Sequence, residues 1–187
     1  MQVTDRKCPA SRLETERLWL RPLTSDDAID LAIALGNPRV TQHIGTGRPK
    51  SFEETIQYLD YQCSHHNTYG YSLWAMERKC DRRVIGQCGL WHLEGTGEVD
   101  LAYTLSEDVW GQGYATEASI AWLDYAFDQL QFERVVAVSK PENLASIRIL
   151  EKLGMQYERE GIFYACLCRY YAISRDQWNE RKRGSAS

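Results

Sequence analysis

A short glycine-containing segment in the middle of the chain has the residue types of an anion-binding turn. It follows a strand-like run, opens into a helix-like one and has the sequence Trp110-Gly111-Gln112-Gly113-Tyr114-Ala115-Thr116-Glu117-Ala118. Two glycines flanking one residue let the backbone turn tightly, and their N–H groups can point at one spot. That spot lies at a helix start, where the first amides lack intrahelical partners and the helix dipole is positive. The pattern predicts a phosphate site.

The surroundings of this turn argue against two nucleotide-binding motifs. A dinucleotide fold needs G-x-G-x-x-G early in the chain after a first parallel strand, whereas this turn lies mid-chain after a predicted antiparallel meander of three strands (residues 71–77, 84–90 and 98–105). A Walker loop needs G-x-x-x-x-G-K-[ST], and no lysine or arginine lies between Arg83 and Arg134 to meet a γ-phosphate. An anion bound by backbone alone fits a pyrophosphate linker, although a plain tight turn before a helix would give the same letters.

Composition predicts one folded domain with no metal and no nucleic-acid partner. The chain has 187 residues, 43% apolar and 26% charged, and its net charge of −4 gives no sign of a polyanionic partner. Its 6 cysteines form no C-x-x-C motif and its 4 histidines no H-x-x-x-H motif, which predicts reduced thiols and no bound metal. The N-terminus lacks an apolar targeting core and no run reaches the ~20 apolar residues of a membrane span, which favours the cytoplasm.

Hydrophobic periodicity predicts an α+β layout with a mixed sheet. The expected organisation is a polar arm (residues 1–12), a single domain (13–175) and a solvated tail (176–187). Alternation predicts strands at residues 16–21, 71–77, 84–90 and 98–105, and a continuous apolar run predicts a strand at 135–138 that is buried on both faces. A hairpin of 155–160 and 164–173 around Gly161 is expected to follow. Capping and stop signals predict helices at residues 24–36, from Ser51, at 115–129 and at 143–153. The turn-forming residues of 37–50 predict a loop.

The order of these patterns resembles one enzyme superfamily. After the meander, the glycine turn, a crossover helix and the strand at 135–138 comes Asn143-Leu144-Ala145-Ser146-Ile147-Arg148-Ile149-Leu150-Glu151-Lys152-Leu153-Gly154-Met155. Together they resemble the GCN5-related N-acetyltransferases (GNAT), and within them the ribosomal-protein N-terminal (alanine or serine) acetyltransferases. The resemblance covers residues 13–173. The wider family often has arginine or glutamine at the position of Trp110, and the tryptophan there resembles the ribosomal branch. Leu150 stands where many members have a tyrosine that acts as an acid.

The resemblance implies a three-layer fold and acetyl-CoA as the acetyl donor. The mixed central sheet would have about six to seven strands, splayed between the fourth and the fifth, with helices on both faces. The pantetheine arm would lie in the splay like an extra strand, oriented by Asn143. A backbone N–H near Leu105 would face the thioester oxygen. The implied cofactor-binding residues are Tyr103, Thr104 and Leu105 for the arm and Gln112, Gly113, Tyr114, Ala115 and Thr116 for the pyrophosphate.

Acetyl transfer to an amine needs a proton acceptor, because an ammonium group has no lone pair with which to attack. Asp100 stands where related sequences have glutamate, and Glu98 shares its strand face by alternation. Either carboxylate is a candidate base, directly or through a water, although surface charge at a strand start would look the same. For the departing thiolate, the resemblance to the ribosomal branch implies that Ser146 is the donor.

The sequence leaves the amine acceptor open. The first expectation is the α-amine of a protein N-terminus, and the alternative is a small amine such as an aminoglycoside, a polyamine or an amino acid. A non-catalytic CoA-binding module is a further alternative. Substrate contacts are expected from the loop at residues 37–50 and from Phe163 and Tyr164. Both a monomer and a homodimer are compatible with the sequence, and Trp91 or Trp178 would be dimer contacts if exposed.

Overall fold

A computed structural model describes residues 12–185 of the chain. The strands are β1 (Leu13–Glu14), β2 (Leu18–Arg21), β3 (Leu73–Arg78), β4 (Val84–His92), β5 (Val99–Leu105), β6 (Arg134–Ser139), β7 (Gln156–Phe163) and β8 (Cys166–Ser174). The helices are α1 (Ala28–Leu35), α2 (Pro38–Thr41), α3 (Phe52–Tyr69), α4 (Tyr114–Asp128), α5 (Leu144–Lys152) and α6 (Arg175–Ser185). Most of the predicted arm, with Cys8, lies outside the described residues.

These strands form one 8-stranded sheet, in the order β1-β2-β3-β4-β5-β6-β8-β7. Neighbouring strands are antiparallel except β5 and β6, which are parallel. These two pair at one position, Asp100 with Val136, and are unpaired beyond it. The mixed sheet with this splay confirms the predicted fold class. The strand beyond the predicted range is β1, whose two residues are too few to show alternation.

Helices cover both faces of the sheet. On one face, Leu101 and Leu105 of β5 belong to the core cluster that contains Trp122 of α4. On the other face, Ala75 of β3 packs in a cluster with Leu59 of α3. The central strands therefore lie between two apolar layers, which is why their sequences are largely buried.

Strand pairing fixes which side chains of β5 point to which layer. Ala75 lies opposite Gln87, and Gln87 lies opposite Thr104, so these three side chains share the α1/α3 face. Because side chains alternate, Asp100 points to the same face as Thr104, whereas Tyr103 points to the α4 face. The two faces of β5 therefore carry different candidate groups.

Helix starts follow the predicted signals in α3 but not in the segment before it. Ser51 Oγ accepts a hydrogen bond from Glu54 N–H (3.2 Å), and the Glu54 carboxylate accepts one from Ser51 N–H (2.8 Å), which confirms the capping box. The predicted loop at residues 37–50 contains α2, because Asn37 Oδ1 caps the Arg39 N–H (2.8 Å) and Pro38 pre-sets the first helical φ. Four residues are too few to show helical periodicity.

The closing hairpin turns at a different place from the one predicted. Phe163 pairs with Cys166, so the turn is the dipeptide Tyr164-Ala165. Both of these residues have positive φ, 52° and 60°, as a two-residue turn that matches the twist of the strands requires. Gly161, the predicted turn, lies inside β7 opposite Cys168. Glycine is the usual residue at positive φ, but here two other residues adopt it.

Residues 175–185 form α6, whereas the sequence predicted a solvated tail from residue 176. Trp178 is fully buried (0% exposed), so it is not an exposed dimer contact, and its indole donates to Asp124 Oδ1 (3.0 Å). Arg181 donates to the carbonyl oxygen of Lys152 (2.9 Å), and Lys182 Nζ lies 2.7 Å from Asp124 Oδ1. The mostly polar sequence of this segment gave no sign that Trp178 would be buried. Arg181 and Lys182 of the basic cluster hold α6 against the rest of the domain.

The described residues contain neither a membrane-spanning helix nor a metal-binding cluster. Within residues 12–185, no helix is long and apolar enough to cross a bilayer. In the same range, no three histidine, cysteine or acidic side chains are grouped so that they could hold a metal ion.

Candidate active site

The glycine turn presents backbone amides to a cavity. Gly111 and Gly113 have left-handed φ angles, 73° and 85°, which glycine adopts at least cost. α4 begins directly afterwards, and no side chain caps its first turn. Because the first amides of a helix lack intrahelical acceptors, those of Tyr114, Ala115 and Thr116 are available to a ligand. All five residues line a cavity of about 790 Å³.

An arginine that the sequence did not single out holds this turn in place. Arg17 Nη1 donates to the carbonyl oxygen of Gln112 (2.9 Å), and Arg17 Nη2 lies 2.6 Å from Glu117 Oε2. Its guanidinium also lies 4.3 Å from the centroid of the Tyr114 ring. Burial opposes ionisation of Glu117, but hydrogen bonds from Thr15 and Arg17 outweigh it and lower the pKa of Glu117. Gln112 does not line the cavity, and its carbonyl oxygen connects the turn to Arg17.

Beyond its single pairing with β6, β5 has a free backbone edge. Ser106 N–H donates to the carbonyl oxygen of Ile85 (2.9 Å), and backbone groups alternate between the two edges of a strand. The backbone groups of Thr104 therefore face β4, and those of Tyr103 and Leu105 face the opening. For Thr104 this differs from the expected free backbone, although its side chain lines the cavity.

Trp110 modifies the end of this edge. Its indole Nε1 donates to the carbonyl oxygen of Leu105 (3.0 Å), and the half-exposed ring lines the cavity. This bond occupies the Leu105 carbonyl and leaves the Leu105 N–H as the donor that faces the opening. It is the amide that the resemblance places near the thioester oxygen.

Asp100 is a buried carboxylate with one unpaired oxygen on the cavity wall. The residue is 3% exposed, and its Oδ1 has no hydrogen-bond partner. Burial raises the pKa of Asp100 to about 7, and a hydrogen bond from the backbone of Val138 opposes part of that rise. A carboxyl group with a pKa near neutrality is matched to proton transfer at pH 7.

Glu98, the other candidate base, is not brought to the cavity. Tyr170 Oη donates to Glu98 Oε2 (2.6 Å), and Arg134 Nε lies 3.6 Å from Glu98 Oε1. The residue precedes β5 and does not belong to the cavity wall. Of the two carboxylates, the structure therefore brings only Asp100 to the opening.

Ser146 lies on the opposite face of β5 from Asp100, at the start of α5. Asn143 caps this helix, because its Oδ1 accepts a hydrogen bond from Ser146 N–H (3.2 Å). Ser146 Oγ lies 2.9 Å from Tyr103 Oη, a contact that sequence reasoning missed because it assigned Tyr103 only a backbone role. Leu150 is buried in the cavity wall, so this position offers no hydroxyl group to the cavity.

Comparison with known proteins agrees with this geometry. The family described as acetyltransferase (GNAT) domain matches residues 17–156. The chain belongs to the GNAT acetyltransferases. It is 33% identical to YkkB of Bacillus subtilis (strain 168) over 152 residues, 80% of this chain and 87% of YkkB. It is 30% identical to the N-acetyltransferase YoaA of the same organism over 147 residues, 78% of this chain and 83% of YoaA.

Solved structures share the fold of this acetyltransferase. Ribosomal-protein-S5-alanine acetyltransferase from Vibrio fischeri matches with a TM-score of 0.72 and 19% identity, over 90% of this chain and 99% of that one. At that identity the match shows the fold alone, so the ribosomal branch stays a prediction. GNAT acetyltransferases use acetyl-CoA and act on amines, which confirms the predicted enzyme class. The uncapped start of α4 and the free edge of β5 fit a diphosphate with an amide-bearing arm.

The left-handed backbone of Gly113 gives a first testable prediction. In Gly113→Ala, alanine in the left-handed conformation costs about 1–2 kcal/mol. Without acetyl-CoA the turn therefore relaxes to another backbone conformation, and part of the binding free energy of acetyl-CoA is used to restore the left-handed one. We expect the KM for acetyl-CoA to rise about tenfold, as ~1.4 kcal/mol implies, with kcat changed much less. Steady-state kinetics measures both values.

Gly95 offers a matched control for this substitution. It has a φ of 70° with no atom near its missing Cβ, and it lies outside the cavity wall. Gly95→Ala should therefore cost stability but leave the KM for acetyl-CoA unchanged. An equal rise of KM in both variants would mean that the effect is not specific to the cofactor turn.

Aromatic and polar side chains of α3 and β4 line the other end of the cavity. Tyr58 and Tyr61 of α3 and Trp91 of β4 belong to its wall. Gln87 Nε2 donates to Tyr58 Oη (2.8 Å), which leaves the buried Gln87 Oε1 without a partner. The tyrosines are three positions apart in α3, so their common direction was visible in the sequence, but the sheet that they face was not.

A closed ring of hydrogen bonds supports Trp91 from behind. The His65 ring stacks on Trp91 with centroids 3.9 Å apart. His65 Nδ1 lies 2.9 Å from the Tyr71 carbonyl oxygen, His65 Nε2 lies 3.0 Å from His92 Nδ1, and His92 Nε2 lies 3.0 Å from Tyr71 Oη. A carbonyl only accepts, so His65 Nδ1 donates to it, and a neutral His65 accepts a hydrogen bond from His92 Nδ1 at Nε2. Protonation of His65 would put a hydrogen on Nε2 and would force this second hydrogen bond to reverse.

Acid should destabilise the fold through this ring. Burial, with a smaller contribution from His92, lowers the pKa of His65 below 6.5. The unfolded chain therefore binds more protons as the pH falls below 6.5, and the free energy of unfolding decreases. We expect this decrease in urea denaturation between pH 7.5 and pH 5.5. The measurement is made in the Asp100→Asn variant, because Asp100 makes the opposite contribution to the pH dependence of stability. Adding His65→Phe to that variant should flatten the dependence of the free energy of unfolding on pH.

Proposed function

We propose that this acetyltransferase transfers the acetyl group of acetyl-CoA to a primary amine by direct attack in a ternary complex. The observation that carries the proposal is the placement of Asp100 and Ser146 on opposite faces of β5, beside its free backbone edge. The amine would approach from the Asp100 side, and the departing sulfur would lie on the Ser146 side. Both side chains line the same cavity.

The protein would bind and orient acetyl-CoA mainly through its backbone. The amides of Gly113, Tyr114, Ala115 and Thr116 would bind the pyrophosphate, and Gln112 would hold the turn through its carbonyl. The edge of β5 at residues 103–105 would pair with the amides of the pantetheine arm. Asn143 would complete this orientation from the start of α5, where its capping bond keeps it fixed.

The side chains would then move the proton of the amine and support the leaving group. The unpaired Oδ1 of Asp100 would accept the proton as the amine attacks the acetyl carbon. The Leu105 N–H would stabilise the charge that develops on the thioester oxygen. Ser146 would donate a hydrogen bond to the departing sulfur, a modest task because a thiol of pKa ~8.5 leaves readily. Tyr103 Oη, which lies 2.9 Å from Ser146 Oγ and 3.3 Å from the Ser146 carbonyl oxygen, would fix the position of the serine hydroxyl for that task.

The direct test is to incubate the protein with acetyl-CoA and a broad panel of amines and peptides. We expect release of the CoA thiol together with an acetylated product that mass spectrometry identifies. The panel must contain peptides with a free α-amine, which the sequence made the first expectation, and small amines. No thiol release with any amine would contradict the proposed function.

A further inference from the structure

The cavity has an acceptor side with a chemistry of its own. Gln87 and Trp91 of β4 pair with Thr104 and Asp100 of β5, so all four side chains share one face of the sheet. Tyr103 points to the other face, where it meets Ser146. The acceptor side is therefore the part of the cavity between this face, α3 and the β7–β8 hairpin.

Most of the acceptor side is apolar and aromatic. Tyr58, Tyr61 and Trp91 line it from α3 and β4, and Phe163 and Tyr164 line it from the hairpin. Aromatic rings provide large rigid apolar surfaces with preferred edge and stacking contacts for another ring. Such walls provide a large contact surface for a ligand whose body is apolar.

The charged groups also disfavour a polycation. Among residues 12–185, Asp100 is the only acidic side chain in the cavity wall, and the basic ones are Lys50, Lys140 and Arg148. Lys50 lies on the acceptor side, with its Nζ 5.4 Å from the centroid of the Tyr58 ring. A polyamine or aminoglycoside would bring several ammonium groups to one carboxylate and a lysine, and like charges repel at short range.

Two buried acceptor atoms are matched to one amine and no second cation. Asp100 Oδ1 and Gln87 Oε1 have no partner, although their residues are 3% and 2% exposed. Leaving a buried acceptor unpaired costs about 1–3 kcal/mol, so both atoms favour a ligand with N–H or O–H donors. Only Asp100 is a carboxyl group. Gln87 accepts hydrogen bonds without carrying the negative charge that a second ammonium group would need.

A short strap borders this part of the cavity. Residues 42–45, which follow α2, are tied across the opening by two hydrogen bonds: Lys140 Nζ donates to the Gln42 carbonyl (2.8 Å), and Cys166 Sγ donates to the Gly45 carbonyl (2.8 Å). His43 and Ile44 of the strap line the cavity. A protein N-terminus needs an open channel through which the rest of its chain leaves, and the strap takes up part of the space on this side of the cavity.

We propose that the acceptor is a small primary monoamine with an apolar or aromatic body, rather than a polyamine, an aminoglycoside or a protein N-terminus. The proposal rests on the acetyl transfer proposed above. It favours a small amine over the protein N-terminus that the sequence put first, and among small amines it excludes the polyamines and aminoglycosides that the sequence also left open. The body would contact the aromatic walls, and the single amine would meet Asp100.

A matched set of acceptors tests the proposal. The probes are 2-phenylethylamine, spermidine, kanamycin and an octapeptide with a free N-terminal alanine, each with acetyl-CoA and the full-length protein. We expect kcat/KM for 2-phenylethylamine to exceed that of each other probe by about tenfold or more, because a buried ring gains apolar contact that the others lack. An equal or higher value for any of the other three would overturn the proposal.

A binding measurement separates this proposal from the proposed function. Calorimetry with CoA present reports whether 2-phenylethylamine and spermidine bind, independently of turnover. If 2-phenylethylamine binds more tightly but no probe is acetylated, the transfer reaction is wrong and the acceptor class is supported. If spermidine binds as tightly or more tightly, or if 2-phenylethylamine does not bind, the acceptor class is wrong.

One substitution should change the preference in a predictable direction. Gln87→Glu adds a carboxylate of the same shape, which Tyr58 Oη can satisfy by donating to it. We expect the ratio of kcat/KM for spermidine to that for 2-phenylethylamine to rise about tenfold, since an opposite charge stabilises a second ammonium group. Gln156→Glu makes the same charge change at an exposed position of β7 and should leave the ratio unchanged. An unchanged ratio in a folded Gln87→Glu would contradict the charge argument, and if that variant does not fold, the acceptor set alone decides.

Discussion

Asp100→Asn should lower kcat/KM for amine acetylation by about 10²–10⁴-fold, the range for loss of a general base. Asparagine keeps the shape of the side chain and can still accept the hydrogen bond from the backbone of Val138. It cannot take a proton from the amine. The measurement is CoA thiol release with the product identified by mass spectrometry. Glu98→Gln is the control, because Tyr170 and Arg134 hold Glu98 outside the cavity wall, and it should stay within a few-fold of the parent.

The pH dependence should distinguish a base from a structural carboxylate. Burial raises the pKa of Asp100 to about 7, so the fraction of ionised Asp100 increases as the pH rises through neutrality. In the parent, kcat/KM should rise with pH through this region, in addition to the rise caused by deprotonation of the amine itself. Asp100→Asn should retain only the part that belongs to the amine. Identical profiles for the two proteins would contradict the assignment of Asp100 as the base.

Asp100→Asn should raise the stability of the fold although it lowers the activity. The pKa of Asp100 is raised in the folded protein from 3.8 to about 7, so between these values the folded state binds the proton and the unfolded state does not. The free energy of unfolding therefore falls as the pH rises through this window. Asp100→Asn lacks this contribution and should gain stability relative to the parent between pH 4 and pH 8. Lost activity with retained stability would separate the chemical role from a folding defect.

Local signals in the sequence identified the parts of the site that depend on local geometry. The glycines of the turn are needed for its left-handed backbone, and the helix after them follows from the apolar residues of α4. The capping box at Ser51 places α3 correctly, because all its atoms lie within one helical turn. The alternation of β5 identified Asp100 on a strand, although not its burial. Each of these features is determined within one element and the residues next to it.

Contacts between distant segments could not be predicted in this way. Arg17 reaches Glu117 across 100 positions, and no spacing rule links the two. Trp178 anchors a segment whose other residues are mostly polar, so burial there depends on a pocket that α4 helps to form. The hydroxyl contact of Tyr103 with Ser146 requires the positions of β5 and α5 relative to each other. Such relations depend on packing across the sheet, which periodicity does not encode.

Ser146→Ala should lower kcat by about 10²-fold, the lower end of the range for a lost proton donor, because the thiolate needs limited help to leave. The KM for acetyl-CoA should change little, since the Asn143 cap uses the backbone N–H of Ser146 and alanine retains it. Tyr103→Phe should lower kcat by a smaller factor, because it removes the phenol contacts with the hydroxyl and the carbonyl of Ser146 but keeps the serine hydroxyl itself. Steady-state kinetics of both variants measures kcat and KM separately.

The double variant decides whether Tyr103 acts through Ser146. If the phenol only orients the serine hydroxyl, Tyr103→Phe should have no further effect once Ser146→Ala has removed that hydroxyl. The double variant should then equal Ser146→Ala alone, with a coupling free energy as large as the whole effect of Tyr103→Phe. Additive losses would show that the phenol acts independently of the serine, for instance through packing between β5 and α5. Thermal unfolding of all three variants checks that difference, because a packing defect lowers the melting temperature and an orienting role need not.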